Sequence, residues 1–129
     1  MEPQESRIYG IFNLATEIDR FPPDPETEAR HRAVTLVKTD TIRVVLVTMV
    51  SDGYMHEHDA PGPVTLQVLS GTMSLSVDGG EKRLSGGDLL SVAPGVRLEI
   101  TCEDDGAFLL TIAHLSRTPD RGGRDADES

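Results

Sequence analysis

From residue 33 to residue 114 the chain is a series of short runs rich in Val, Ile, Leu and Thr, separated by turns that contain Gly or Pro. Runs of this composition and length are typical of β-strands. One of them, Thr72–Val77, alternates apolar and polar residues, which indicates a strand with one buried face. No segment has the pattern of a long helix. The sequence therefore predicts about eight short strands in an all-β antiparallel sandwich or barrel.

The length of 129 residues fits one domain. Residues 1–32 are predicted to form an N-terminal arm and a Pro-rich, charged connection, and residues 33–117 the barrel. Residues 118–129 contain no large apolar side chain, so they cannot offset the entropy of ordering and are predicted to be a disordered tail.

The composition limits the partners and the location. With 12 Lys and Arg against 22 Asp and Glu, the formal charge of −10 repels phosphate backbones and anionic lipids, which argues against nucleic-acid and membrane partners. The single cysteine, Cys102, allows no internal disulfide and fits a reducing compartment. The sequence contains neither a signal-peptide apolar region nor a run long enough to span a bilayer. We predict a cytoplasmic protein.

Two segments resemble the two sequence motifs of the cupin superfamily. The first is His56-Glu57-His58 followed by Val68-Leu69-Ser70-Gly71, and the second is Gly87-Asp88 followed by Pro94-Gly95. The resemblance implies a single-domain antiparallel jelly-roll barrel with a binding pocket beside the first motif. It also implies ligand positions for a metal, but the family Glu falls on Val64 and the second-motif His on Leu98. Two of the four usual ligand positions are therefore apolar, and the metal motif is degenerate.

The segment also resembles a branch of small cupins with His-x-Ala-Pro-Gly-Pro followed by Gln-Val-Leu-x-Gly, here residues 58–63 and 67–71. That resemblance implies a fold and a pocket and does not specify a reaction.

The remaining His-x-His pair has two interpretations. Residues two apart on a strand point to the same side, so His56 and His58 are candidate ligands of one divalent metal such as Zn, Fe, Ni or Mn. A third donor would come from Glu57, Asp59, Gln67 or His114. Alternatively, both histidines lie in a solvated loop. An iron dioxygenase is less favoured because its carboxylate ligand would have to come from an unmatched position.

A metal-free pocket is the other interpretation. His58 would transfer the proton, assisted by His56 or Glu57, since a histidine beside carboxylates can titrate near neutral pH. His114 continues the inward series of Phe108, Leu110 and Ile112. The predicted ligand-binding side chains are Gln67, Met55, Met49, Met73, Leu98 and His114. Arg43 and Arg97 either hold a substrate carboxylate or face solvent.

These patterns predict a cupin that binds a small organic molecule and favour a non-redox enzyme of the isomerase, cyclase or lyase type. The first alternative is a non-catalytic ligand-sensing or accessory cupin. The second is a metal-dependent enzyme that uses His56 and His58. We further predict a homodimer, because the strand-like N-terminal segment can pair with the sheet edge of another subunit.

Overall fold

The structure is a computed structural model that describes residues 7–57 and 59–114. Within these residues it contains one helix and nine strands. They are α1 (Leu14–Arg20), β1 (His31–Lys38), β2 (Ile42–Met49), β3 (Tyr54–Glu57), β4 (Val64–Ser70), β5 (Thr72–Val77), β6 (Gly80–Ser85), β7 (Leu89–Val92), β8 (Leu98–Cys102) and β9 (Gly106–Ala113).

The strands form two antiparallel sheets that share one core. The five-stranded sheet has the order β1-β2-β9-β4-β7, and the four-stranded sheet has the order β3-β8-β5-β6. Apolar residues from both sheets belong to one buried cluster, so the sheets pack face to face. The predicted all-β antiparallel jelly-roll barrel is confirmed.

The β5–β6 hairpin shows how local sequence sets this topology. Val77 pairs with Gly80, which leaves Asp78 and Gly79 as a two-residue loop with φ angles of 49° and 85°. Two positive φ values match the right-handed twist of the flanking strands, and Asp-Gly is a favoured sequence for such a loop. The turn is also anchored to the start of β8, because the Arg97 backbone N–H donates to Asp78 Oδ1.

The N-terminal region differs in detail from the sequence prediction. The N-terminal segment, expected to be strand-like, contains the helix α1, and the described residues before this helix form no strand. Asn13 caps this helix, with its Oδ1 accepting a hydrogen bond from the Thr16 backbone N–H. The connection after α1 covers the outer face of β2, where the hydroxyl of the buried Thr48 donates to the Phe21 carbonyl. The predicted tail, residues 118–129, lies outside the described residues.

The middle of the barrel is filled with side chains. Leu66, Phe108 and Leu110 from the five-stranded sheet meet Leu75 and Ile100 from the four-stranded sheet, and all five are fully buried. A filled apolar centre leaves the two ends of the barrel as the places where polar groups and a ligand can meet. The helix α1, which is the one helix among the described residues, is not long and apolar enough to cross a bilayer.

Candidate functional site

One end of the five-stranded sheet carries a row of four side chains across four adjacent strands. Arg43 pairs with Ile112, Ile112 with Val64, and Val64 with Val92. Ile112 and Val64 are buried in the core, and Val92 packs against it. Residues directly opposite each other in antiparallel strands lie on the same face of the sheet. The half-buried Arg43 therefore also faces the barrel interior.

The four-stranded sheet contributes a second row at the same end. Glu57 pairs with Leu98, and Leu98 with Val77. Since Leu98 is buried in the core, the half-buried Glu57 also lies on the barrel-facing side. Only residues 93–97 separate Val92 of the first row from Leu98 of the second. The two rows therefore lie at one end of the barrel.

His114, the residue after β9, also lies at this end of the barrel. It continues the barrel-facing series Phe108, Leu110 and Ile112, and its backbone N–H donates to the Thr41 carbonyl. Among the residues that the structure describes, buried His114 Nε2 and buried Arg43 Nε have no hydrogen-bond partner. We call this region the Arg43 end and define it by these side chains: Arg43, Glu57, Val64, Val92, Leu98 and His114.

Lys38 places a second cation beside Arg43. The two residues pair directly across β1 and β2, and Lys38 is exposed. Like charges directly opposite each other repel. Within residues 7–57 and 59–114, neither side chain has an ion-pair partner. Two cationic residues are thus adjacent on the β1–β2 side of the Arg43 end, and the carboxylate of Glu57 lies on the facing sheet.

His56 lies on the outer face of β3. Its neighbour Met55 packs against the core, so alternation directs the His56 side chain outward. There the ring makes an edge-on contact with Tyr54, and Nδ1 lies 3.9 Å from Glu99 Oε2. The structure therefore separates His56 from Glu57, which is on the barrel-facing side. His58 lies outside the described residues.

The predicted wall residues belong mostly to the core. Met49 and Met73 are fully buried, Leu98 is buried at the Arg43 end, and Met55 packs against the same cluster. Gln67 is exposed on the outer face of β4, because its neighbours Leu66 and Val68 point into the core. Of the predicted ligand-binding set, only Leu98 and His114 contribute to the Arg43 end.

A cleft lies at the opposite end of the barrel. It has a volume of about 210 Å³ and is lined by residues of the N-terminal region and of the strand ends. The lining residues are Ile18, Pro23, Thr48, Met49, Ser70, Asp105 and Gly106. The cleft thus includes one predicted wall residue, Met49, and none of the residues that define the Arg43 end.

Comparison with solved structures identifies the architecture. The chain superposes on an RmlC-like cupin from Shewanella frigidimarina with a TM-score of 0.62 and 19% identity, over 75% of this chain and 92% of that chain. The protein has a cupin fold. A conserved protein of unknown function, SPY1581 from Streptococcus pyogenes, matches with a TM-score of 0.69 and 13% identity, over 86% and 92% of the two chains. No protein-family model matches the chain, and no curated protein matches its sequence.

A third similar structure is a cupin domain of an XRE family transcriptional regulator from Enterobacter cloacae. It matches with a TM-score of 0.60 and 15% identity, over 68% of this chain and 99% of that domain.

The described residues do not fit a metal centre. Val64 and Leu98, at two positions where the cupin motifs have ligands, face the interior as apolar side chains, and His56 faces outward. Within residues 7–57 and 59–114, no group of three His, Cys, Asp or Glu side chains could hold an ion. The predicted divalent metal at His56 and His58 stays a prediction, which elemental analysis of the purified protein would test.

Arg43 belongs to the candidate site, although the sequence left its orientation with two interpretations. Its orientation follows from the alternation of β2, in which Val45, Val47 and Met49 are all buried in the core. Arg43 lies two residues before Val45, and this spacing is visible in the sequence. The sequence could not show that the residue lies one row from the end of the sheet beside His114, because that depends on the β2–β9 register.

Proposed function

We propose that this cupin binds a small organic molecule at the Arg43 end of its barrel. The observation that supports the proposal is the common orientation of Arg43, Glu57 and His114 toward the interior of an otherwise apolar barrel. An apolar cavity with a few convergent polar groups is the usual form of a small-molecule site. Val64, Leu98 and Val92 would contact the apolar part of the ligand.

We further propose that the bound molecule undergoes proton transfer, as in a non-redox isomerase, cyclase or lyase. Glu57 supplies a carboxylate on the barrel-facing side, and His114 supplies an imidazole at the same end. These are two of the side chains that most often serve as general acid or base. The predicted transfer by His58, assisted by His56, stays a separate hypothesis.

Solvent exchange tests this enzymatic proposal before the full reaction is known. A library of small organic acids, alcohols and amides is screened for thermal stabilisation, and each hit is incubated with the protein in D₂O. Proton NMR then reports whether a carbon-bound proton of the hit exchanges with solvent. We expect exchange that falls by about 100-fold or more in Glu57→Gln, the usual contribution of a general acid or base.

The matched control is Glu81→Gln, which removes an exposed carboxylate on the outer face of β6, at the edge of the four-stranded sheet opposite β3. This variant should retain the exchange rate of the parent protein. If Glu57→Gln and Glu81→Gln exchange equally fast, Glu57 is not the acid or base and the enzymatic proposal fails in this form.

A non-catalytic ligand-sensing or accessory role is the second candidate. It is supported by the similarity to the cupin domain of the XRE family transcriptional regulator, which this chain covers over 99% of its length. A hit that binds reversibly, is recovered unchanged and shows no solvent exchange would favour this role over catalysis.

We also propose that the protein is a cytoplasmic homodimer. β1 is an edge strand of the five-stranded sheet, and three N-terminal apolar side chains are largely exposed: Ile8 at 53%, Tyr9 at 79% and Ile11 at 88%. Exposed apolar side chains and unpaired strand edges are each a common origin of subunit contacts. Light scattering should give the mass of two chains, and Ile11→Asp should shift the mass toward one chain. A single-chain mass for the parent protein would contradict the dimer.

A further inference from the structure

The Arg43 side chain points toward the barrel interior, where its Nε has no hydrogen-bond acceptor among the described residues. β2 pairs with β1 on one side and β9 on the other, so the backbone register directs the Arg43 side chain inward. Its Nε is buried, and no described residue accepts its proton. A buried donor on a charged group is costly to leave unpaired, because it has lost water and gained no partner. A bound ligand that accepts a hydrogen bond from Arg43 Nε would remove this energetic cost.

His114 adds a second unsatisfied nitrogen to the same place. Arg43 pairs with Ile112, and His114 lies two residues farther along the chain, so the two side chains are diagonal neighbours on the barrel-facing side. His114 Nε2 is buried and also lacks a hydrogen-bond partner within residues 7–57 and 59–114. Two adjacent orphaned nitrogens indicate one polar ligand group that reaches both.

The two neighbouring cationic residues Arg43 and Lys38 favour an anionic ligand group. Lys38 lies directly opposite Arg43 on β1, so two cationic residues are adjacent at the end of the sheet. An anion between them would convert a like-charge repulsion into two attractive pairs.

We propose that the ligand of the Arg43 end is a small carboxylic acid, whose carboxylate pairs with Arg43 and also hydrogen-bonds to His114. This inference rests on the proposed function and specifies its ligand class. The guanidinium is planar and matches a carboxylate with two parallel N–H donors. We expect the body of the acid to be compact and apolar, since the residues in the same row as Arg43 are the buried Val64 and the partly exposed Val92. Glu57, on the facing sheet, receives the polar part of the ligand that is farthest from its carboxylate.

The test compares two probes of nearly the same shape, sodium isobutyrate and the neutral isobutyramide. Each is titrated into the full chain labelled with ¹⁵N, and the Arg43 Nε–Hε signal is followed together with the backbone amides of β2, β4 and β9. We expect a saturable shift of the Arg43 signal with isobutyrate. Isobutyramide, which lacks the charge, should bind about tenfold more weakly or worse, the usual gain from a charge-assisted hydrogen bond.

Two variants assign the effect to Arg43. Arg43→Met keeps a long apolar side chain and should abolish the preference for isobutyrate over isobutyramide. Arg32→Met removes an exposed cation at the other end of β1 and should leave the preference unchanged. Thermal unfolding of each variant establishes that the fold is retained.

The outcomes separate this inference from the function on which it rests. If both probes bind equally well at the Arg43 end, or if Arg43→Met retains the preference, the carboxylate is not recognised by Arg43, while small-molecule binding stands. If neither probe shifts any signal from the Arg43 end, the carboxylate inference is overturned. If the wider library of acids, alcohols and amides also gives no shift there, the proposed function falls with it.

Discussion

Arg43 and His114 are diagonal neighbours on the barrel-facing side of the β2–β9 pair, and each has one buried nitrogen that no described residue satisfies. Such a pair is unusual because more than nine in ten buried polar groups in folded proteins have a partner. The middle of the barrel, by contrast, is filled with buried apolar side chains. Among the described residues, the buried nitrogens without a hydrogen-bond partner are confined to the end of the barrel that is proposed to bind a ligand.

The first prediction concerns the energetic cost of the buried, unpaired Arg43 Nε in the unliganded protein. Arg43→Met keeps the side-chain length and removes the buried, unpaired Nε. Replacing an unsatisfied buried polar group by an apolar one of similar shape is neutral or stabilising. We expect the free energy of unfolding, measured by urea denaturation, to rise by about 1 kcal/mol. A loss of more than about 1 kcal/mol would show that Arg43 already has a partner in the unliganded protein.

The second prediction is a pH dependence that comes from the turn between β8 and β9. Glu103 accepts hydrogen bonds from Arg83, with Nη2 at 2.9 Å from Oε1, and from Ser74, with Oγ at 2.6 Å from Oε2. These bonds, first that of Arg83 and then that of Ser74, lower the pKa of Glu103 from 4.5 to about 2. The hydrogen bond with Glu103 in turn raises the pKa of Arg83.

A lowered carboxyl pKa stabilises the folded state while the carboxyl is ionised in both states, which is the case above its ordinary pKa. The contribution of Glu103 should be fully present above about pH 5 and be lost as the pH falls toward 2. We expect Glu103→Gln to be less stable than the parent at pH 7, with the difference vanishing near pH 2. The control Glu81→Gln removes an exposed carboxylate of β6, the strand that carries Arg83, and should change the free energy of unfolding at pH 7 by less than about 0.5 kcal/mol. A Glu103→Gln difference that is constant with pH would contradict the assignment.

The strands could be predicted because their signals are local. In Thr72–Val77 the alternation identifies the buried face, and the Asp78-Gly79 pair identifies the turn that follows. Both depend on residues that are adjacent in the sequence, so one chain suffices to recognise them.

The site was harder to predict because it depends on pairing between distant segments. β3 has only four residues, and its inward face is set by its register with β8, in which Met55 opposes Ile100 and Glu57 opposes Leu98. A shift of one residue exchanges the two faces of a strand. For this reason the sequence could not show whether His56 or Glu57 faces the interior. Met49 and Met73 were predicted to line a pocket wall, but both are fully buried. Their burial depends on packing between the two sheets, which the sequence does not show.

The third prediction measures how much the filled centre contributes to stability. Leu66 lies in the middle of β4 and is fully buried, whereas Leu89 on β7 is 63% exposed. Leu66→Ala leaves a cavity and should lower the free energy of unfolding by about 2–5 kcal/mol. Leu89→Ala should change it by less than about 0.5 kcal/mol. Denaturant unfolding of both variants provides the comparison, and similar losses for the two would contradict the burial that distinguishes them.

The fourth prediction concerns the single thiol. Cys102 is fully buried at the end of β8, and its Sγ donates a hydrogen bond to the Asp104 carbonyl. Burial, followed by the charges of Asp104 and Asp105, raises the pKa of Cys102 to about 11. On the order of one thiol in ten thousand is therefore ionised at pH 7, and the thiolate is the reactive form. We expect iodoacetamide to leave native Cys102 unmodified, as followed by intact-protein mass spectrometry.

A matched control uses the neighbouring position on the same strand. Thr101 is exposed, so a cysteine introduced by Thr101→Cys in a Cys102→Ser background should be alkylated readily under the same conditions. Urea should make Cys102 of the parent chain react at the rate of this control, because unfolding removes the burial that raises its pKa. If native Cys102 were alkylated as fast as the introduced thiol, it would be an accessible nucleophile, contrary to its place in the core.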